Sequence, residues 1–414
     1  MHTFNRSASL NRRALSVGSP RVGRPTVVAR HFHVPIVIGF LFTFLLAISA
    51  SYIFVVPSLK HTFNGDNISQ SNESMSVCEV SDGSWVPDNS YPLYNASECP
   101  FAEQGFNCLG NGRTDKEYLK WRWKPKNCAV PRFDVRAILE WLRNRRLVFV
   151  GDSMSRSQWE SLICLLMTGV EDKKSVYEVN GSKITKRIRF LGVRFSSFNF
   201  TIEFFRSVFL VQHGWMPRHA PKRVRSTLIL DRLDDISSHW VDSDVLIFNT
   251  GQWWVPGKLF ETGCYFQVGS SLKLGMSIPG AFKVALDTWA SWVERAIDRK
   301  RTSVFFRTFE PSHWSISDQR IRSCNVTRYP LLEASRTDQH VFADIAEEVV
   351  KNMSFPITLL PITSLSAVRI DAHVGNWSDN PAAPDCSHWC LPGLPDMWNE
   401  ILLYYLLTNH ESPL

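Results

Sequence analysis

The sequence predicts an α/β protein: a mostly parallel sheet with flanking helices, preceded by a small disulfide-rich N-terminal lobe and one N-terminal transmembrane helix. Three observations predict it. Short apolar runs alternate with segments of helical periodicity from about residue 131 onward, which is the grammar of strands and helices in a parallel sheet. Residues 77–130 hold four cysteines and clustered aromatics with little aliphatic periodicity. Val34–Pro57 is 24 residues long and carries no charge.

That uncharged run is long enough, at about 1.5 Å per residue, to cross a hydrocarbon core of about 30 Å. It continues past the length of a cleaved signal peptide's apolar core. Residues 1–33 contain six arginines and no lysine or acidic residue. Positive charge on that side makes 1–33 a cytosolic tail and 34–57 a signal anchor of a single-pass type II protein. Everything from residue 58 is then lumenal. All nine cysteines and eight Asn-x-Ser/Thr sequons (Asn67, Asn72, Asn95, Asn180, Asn199, Asn325, Asn352 and Asn376) lie beyond the anchor, as an oxidising, glycosylating lumen requires. With the tail removed, 40 basic residues face 39 acidic ones, so nucleic-acid binding loses its electrostatic support.

The polar stretch 58–76, rich in Asn and Ser, reads as a stem. Residues 77–130 read as a loop-rich lobe held by disulfides, and 131–414 as the α/β domain. Within it, "FDVRAILEWLRNRR" (133–146) has helical spacing and "LVFV" (147–150) reads as a buried strand. "SQWESLICLLMTG" (157–169) predicts a helix with Trp159, Leu162, Ile163 and Leu166 on one face and Gly169 at its stop. Residues 245–248, 303–309 and 357–360 read as further strands, and 282–297 and 340–353 as helices between them. Around Asn180-Gly181 an alternating segment predicts a tight hairpin at a sheet edge. Residues 395–407 form the last predicted helix, which Asp396 can cap.

Ser153 follows the strand 147–150 directly, in "VGDSMSRS", at the carboxyl edge where open α/β sheets bind ligands. Local sequence allows two roles for it: the cap of the next helix, or a nucleophile whose oxyanion is held by free N–H groups. A nucleophile needs a base. Asp385 and His388, three apart on a loop before the last helix, form one candidate pair; Asp371 with His373, and His313, are the alternatives. Cys386, His388 and Cys390 are spaced unlike a usual zinc set, so no metal is expected.

"GDSMSRSQWESL" with "DCSHWCLPGLPDMWNE" resembles the plant trichome-birefringence-like proteins, cell-wall polysaccharide O-acetyltransferases related to GDSL/SGNH esterases. The blocks "GSWVPDNSYPLY", "LIFNTGQWW" and "FFRTFEPSHW" extend the resemblance over about residues 77–410. It implies a three-layer SGNH-like fold, a nucleophile at Ser153, and Asp385 and His388 as its acid and base. It also implies oxyanion donors at the Ser153 N–H and Asn249, assisted by Arg156. Trp253 and Trp254 read either as aromatics on which an acceptor stacks or as core residues, and Gln252 can hydrogen-bond a sugar hydroxyl of the acceptor. Position 252 is Gln where many members carry His, so no acid–base role transfers to it. The implied disulfides are Cys78–Cys128, Cys99–Cys164, Cys108–Cys390 and Cys324–Cys386, leaving Cys264 free.

The function so implied is a Golgi-membrane enzyme with no bound cofactor that takes acetyl from a donor, or from a membrane supplier, onto a wall polysaccharide. The wording of the blocks, and the basic run 217–225, lean toward pectic rhamnogalacturonan, with xylan next. The alternatives are an acetylesterase built on the same residues and a non-catalytic polysaccharide-binding protein.

Overall fold

The computed structural model describes residues 79–316, 322–332 and 341–409. The tail, the anchor, the stem and Cys78 lie outside them. Among the described residues no helix is long and apolar enough to cross a membrane.

Numbered along the chain, the strands of the main sheet are β1 (Arg146–Gly151), β2 (Val176–Glu178), β3 (Phe190–Phe195), β4 (Phe200–Arg206), β5 (Val245–Phe248), β6 (Ser303–Arg307) and β7 (Ile357–Leu360). Their spatial order is β7-β6-β5-β1-β4-β3-β2. The five from β7 to β4 are parallel, and β3 and β2 extend the sheet antiparallel at one edge. Taken in chain order, the parallel strands lie second-first-third-fourth-fifth. That is a doubly wound order whose direction reverses between β1 and β5, and the crevice at such a reversal is where ligands bind.

Strand periodicity divides the interior into two cores. Leu147 and Phe149 of β1, with Val245 and Ile247 of β5, enter one; Val148, Val150, Leu246 and Phe248 enter the other. Alternate side chains of a strand point to opposite faces, so a strand that is apolar throughout must be covered on both sides. The first core is covered by helices α1 (Val135–Trp141), α2 (Ser153–Met167) and, beyond β7, the C-terminal helix Leu394–Asn409. The second is covered by α3 (Ile278–Ala296) and α4 (Val341–Lys351). On α3, Ala281, Ala285 and Trp289 recur at four-residue spacing and are buried, while Lys283 and Asp287 pair on the exposed side. A short helix, α5 (Thr363–Ala367), precedes the C-terminal one, which is therefore α6. A second sheet, ordered 271–273, 264–268, 226–233, 211–215, packs into the second core through Phe266, Leu228 and Leu230.

Two expectations are corrected. Helix α2 is not amphipathic: every residue from Met154 to Met167 is buried. The cysteine-rich segment covers the side that would otherwise face water, contributing Tyr94, Phe101, Phe106 and Tyr118 to the first core. Disulfides Cys99–Cys164 and Cys108–Cys390 bind that segment to α2 and to the C-terminal region, and Cys324–Cys386 also forms. Cys264 is free and buried. The edge strands around Asn180-Gly181 do form, but not as a tight hairpin, because β2 and β3 are separated by residues 179–189. The Glu178 carboxylate accepts from the backbone N–H of Asn180 at 2.8 Å and of Ser182 at 2.6 Å, which holds the connection in its wider form.

Where α6 meets the cysteine-rich segment, two carboxylates are buried against tyrosines. Tyr91 donates to Glu400 at 2.7 Å, and Tyr94 donates to Asp396 at 3.2 Å. Asp396 also accepts from the Gly393 N–H at 2.8 Å, so it caps its helix from inside the first turn. Burial, opposed by the Tyr91 hydrogen bond, raises Glu400 from 4.5 to about 7. Between those values the folded protein keeps a proton that the unfolded chain has released, so stability falls as pH rises through this window. Glu400→Gln keeps an acceptor for Tyr91 and cannot titrate. Chemical denaturation at pH 5, 6 and 7 is expected to show the fall reduced by up to about 1.4 kcal/mol per pH unit in the variant. An unchanged slope would place the titration elsewhere.

Candidate active site

The corner after β1 is built by close approach. A Cβ on Gly151 would lie 1.9 Å from Asn249 Oδ1 and 2.7 Å from the Asn249 carbonyl oxygen, so only glycine lets β1 run this near the end of β5. Asp152 then caps α2. Its Oδ1 accepts from the Met154 N–H at 3.0 Å and from Asn249 Nδ2 at 3.0 Å. With the cap supplied by Asp152, Ser153 is the first helical residue and its hydroxyl is left for another partner.

That partner is His388. Ser153 Oγ lies 2.7 Å from His388 Nε2, and His388 Nδ1 lies 2.7 Å from Asp385 Oδ2. The other carboxylate oxygen, Oδ1, accepts from the N–H groups of Ser387 at 2.8 Å and His388 at 3.0 Å. Burial alone would raise the Asp385 carboxyl; the His388 ring and these N–H groups outweigh it and hold it well below the usual carboxylate range. An ionised Asp385 takes the Nδ1–H, which leaves the Nε2 lone pair facing the serine hydroxyl. This is the arrangement in which an imidazole can remove a hydroxyl proton.

Asp385 and His388 sit not on a loop but on a short strand, Asp385–Trp389, paired with His373–Gly375 through a bulge. Both alternative histidines stand behind it. His373 is fully buried, stacks on Trp389 at 4.5 Å and donates from Nδ1 to the His388 carbonyl at 2.8 Å. Burial first, then His313, pushes His373 down to about 3, so it is neutral. Its Nε2 therefore accepts the 2.6 Å bond from His313 Nδ1. Disulfides at Cys386 and Cys390 flank His388, and the Phe106 ring packs 5.3 Å from it. Those bonds to Cys324 and Cys108 also remove both thiolates from any zinc set with His388.

The Ser153–His388 pair opens into a cleft of about 630 Å³, within the usual range for ligand sites. Arg156, Gln252 and Trp253 line it with the triad residues. Gln252 is tied to the protein: Nε2 donates to the Glu310 carbonyl at 2.6 Å, and Oε1 lies 3.2 Å from Ser312 Oγ, itself 3.0 Å from Ser387 Oγ. It braces the strand that carries His388. The Arg156 guanidinium is held between Glu160 and Glu103, joining α2 to the cysteine-rich segment.

Two expected cleft residues lie elsewhere. Trp254 is 1% exposed and packs edge-on against Phe282 and Phe209, with Nε1 donating to Thr250 Oγ1 at 2.8 Å. It is a core residue. Asn249 is buried beneath the corner, where one N–H of its amide is given to Asp152. The Ser153 N–H, at the start of α2 where no intrahelical acceptor exists, remains as an oxyanion donor. Sequence reasoning missed Phe106, Glu103 and the bracing roles of His313 and His373; nothing in their local sequence marks which of them reach His388.

Residues 130–405 match the GDSL/SGNH-like acyl-esterase family found in Pmr5 and Cas1p, and residues 76–129 match the PMR5 N-terminal domain. The chain is 59% identical to trichome birefringence-like protein 7 of Arabidopsis thaliana, over 99% of both chains. It is 42% identical to trichome birefringence-like protein 6 of the same plant, over 83% of this chain and 73% of that one. With trichome birefringence-like protein 9 the identity is 39%, over 88% and 91%.

Two substitutions separate chemistry from positioning. Asp385→Asn loses the charge that fixes the His388 tautomer, and kcat for acyl transfer is expected to fall by up to about 10⁴. His373→Phe keeps a ring on Trp389 but removes the bond to the His388 carbonyl. A fall of about tenfold or more in kcat with KM unchanged is expected. An unaltered kcat in a folded His373→Phe protein would remove His373 from the positioning of His388.

Proposed function

Because the chain belongs to the trichome birefringence-like family and carries its acyl-esterase domain, and so is an acyl-transferring enzyme of the esterase type, we propose that it is a Golgi polysaccharide O-acetyltransferase working through an acetyl-Ser153 intermediate. The observation that carries this reading is the Ser153–His388–Asp385 hydrogen-bond chain opening into the cleft.

In the first half-reaction Ser153 Oγ attacks the carbonyl carbon of an activated acetyl ester or thioester while His388 Nε2 takes its proton. The donor's leaving group departs with that proton. In the second, a sugar hydroxyl gives its proton to His388 and attacks the acetyl-Ser153 carbonyl, and Ser153 Oγ leaves and is reprotonated. Asp385 stabilises the imidazolium in both steps, and the Ser153 N–H stabilises the oxyanion. Every proton is moved by His388, so the steps call on no bound cofactor. The anchor at 34–57 supports a type II Golgi-membrane protein with the cleft in the lumen, where a membrane-borne acetyl supplier can reach it. The basic run 217–225 supports an acidic pectic acceptor, rhamnogalacturonan, ahead of xylan.

The full chain, purified from a glycosylating host with an activated acetyl ester as donor, is to be offered rhamnogalacturonan, homogalacturonan and xylan oligosaccharides separately. Rhamnogalacturonan is expected to gain the mass of an acetyl group, and Ser153→Ala to lower the rate at least about a thousandfold. Ser153-dependent release of free acetate, with no acceptor modified, would make the protein an esterase. Ser153-independent acetylation would overturn the mechanism.

A further inference from the structure

A second cleft, of about 580 Å³, shares Arg206, Trp253 and Lys258 with the one that holds Ser153. One groove therefore runs along both sides of Trp253, from the reactive serine to His213 and Ser226 in the second sheet.

The groove's charges are unevenly matched. Arg156 is held by Glu103 and Glu160, Arg189 by Asp234 and Asp235, and Asp385 by His388. Among the described residues, Arg206, Lys258 and Lys186 form no ion pair; the unmatched carboxylate is Asp379, exposed on the rim. Arg206 and Lys258 are instead held over one indole, with Arg206 Cζ 5.2 Å and Lys258 Nζ 4.9 Å from the centre of the Trp253 ring. Arg206 is half-buried, and a cation in that position is held at a desolvation cost that an anion in the groove would offset. The basic excess continues outward. Arg218, Lys222, Arg223 and Arg225 lie on the loop joining the strands that carry His213 and Ser226, and among the described residues none forms an ion pair. The same loop begins beside Trp215, which is 94% exposed. A lone anionic group would need one end of such a track; a sugar chain with recurring carboxylates uses its length.

We propose that Arg206 and Lys258, held over Trp253, form an acceptor subsite for the carboxylate of a uronate residue near the sugar that is acetylated. This deepens the acetyl-transfer reading and rests on it. The subsite makes a carboxylate-bearing backbone the preferred acceptor and disfavours a neutral chain of the same length, which offers the cations no ion pair in the groove.

Binding separates this proposal from turnover. On the full-length Ser153→Ala protein, calorimetry is to compare a rhamnogalacturonan oligosaccharide with its carboxyl-reduced counterpart. The acid form is expected to bind at least about tenfold more tightly, an advantage that added salt shrinks. Lys258→Gln, on an exposed side chain, is expected to reduce the ratio severalfold, and Arg206→Gln with Lys258→Gln to bring it close to one. Equal affinity for the two oligosaccharides, no binding of either, or a ratio that survives the double substitution would overturn the subsite. Competitive displacement by coenzyme A at matched concentration would assign the cations to a phosphate-bearing donor and overturn it too. Intact discrimination in an enzyme that acetylates neither oligosaccharide would sink the transfer reading and leave the subsite standing. Equal kcat/KM for both would sink the subsite alone.

Discussion

The hydrogen bond between Ser153 Oγ and His388 Nε2 joins residues 235 positions apart in sequence, and much of the structure serves to hold it. Each end is over-determined. At the serine end, Gly151 permits the approach of β5, Asp152 caps the helix, and Asn249 donates to the capping oxygen. At the histidine end, a strand too short to be stable alone is pinned by two disulfides, by His373 on its backbone and by Gln252 through Ser312 and Ser387. A misplacement of about 1 Å in a reacting pair can cost about a hundredfold in rate, so bracing of this density is what the chemistry demands.

The cysteine-rich segment is part of that bracing, and α2 shows why. A helix buried on every side has to find partners within the protein for its charged residues. Glu160 accepts the Glu103 N–H at 2.8 Å and pairs with Arg156, which pairs in turn with the Glu103 carboxylate; Ser161 donates to Asp396 at 2.6 Å. Removing the segment would take the Glu103 carboxylate from Arg156 and the Glu103 N–H from Glu160, leaving those two only each other. The same segment brings Phe106 to the His388 ring and Cys108 to Cys390. Stability and alignment therefore have the same source.

The strands of the main sheet were legible because an apolar run between turn signals has few other uses: residues 147–150, 245–248 and 357–360 appear where the pattern puts them. What was not legible depended on tertiary partners. Trp253 and Trp254 are chemically identical neighbours, yet one lines the groove and the other fills the core against Phe282 and Phe266. Ser153 read locally as a cap at least as well as a nucleophile; the choice lay in Asp152, whose side chain takes the cap. His313 and His373 competed with His388 for the base because sequence does not say which ring meets the serine and which meets its backbone.

Gln252 bears on how the family's chemistry can vary. A glutamine cannot exchange protons near neutral pH, and here it is committed to the Glu310 carbonyl and to Ser312. Gln252 therefore adds no second acid or base beside His388, and one imidazole would serve water and a sugar hydroxyl equally well. The triad cannot by itself distinguish transfer from hydrolysis. That distinction must come from the groove, from how well an acceptor fills it and excludes water before the acyl group is released. A wall in which two cations are fixed over an indole favours an occupant with its own negative charge. In the acetyl-transfer reading it ties the partition between transfer and hydrolysis to the same side chains that are proposed to select the polymer.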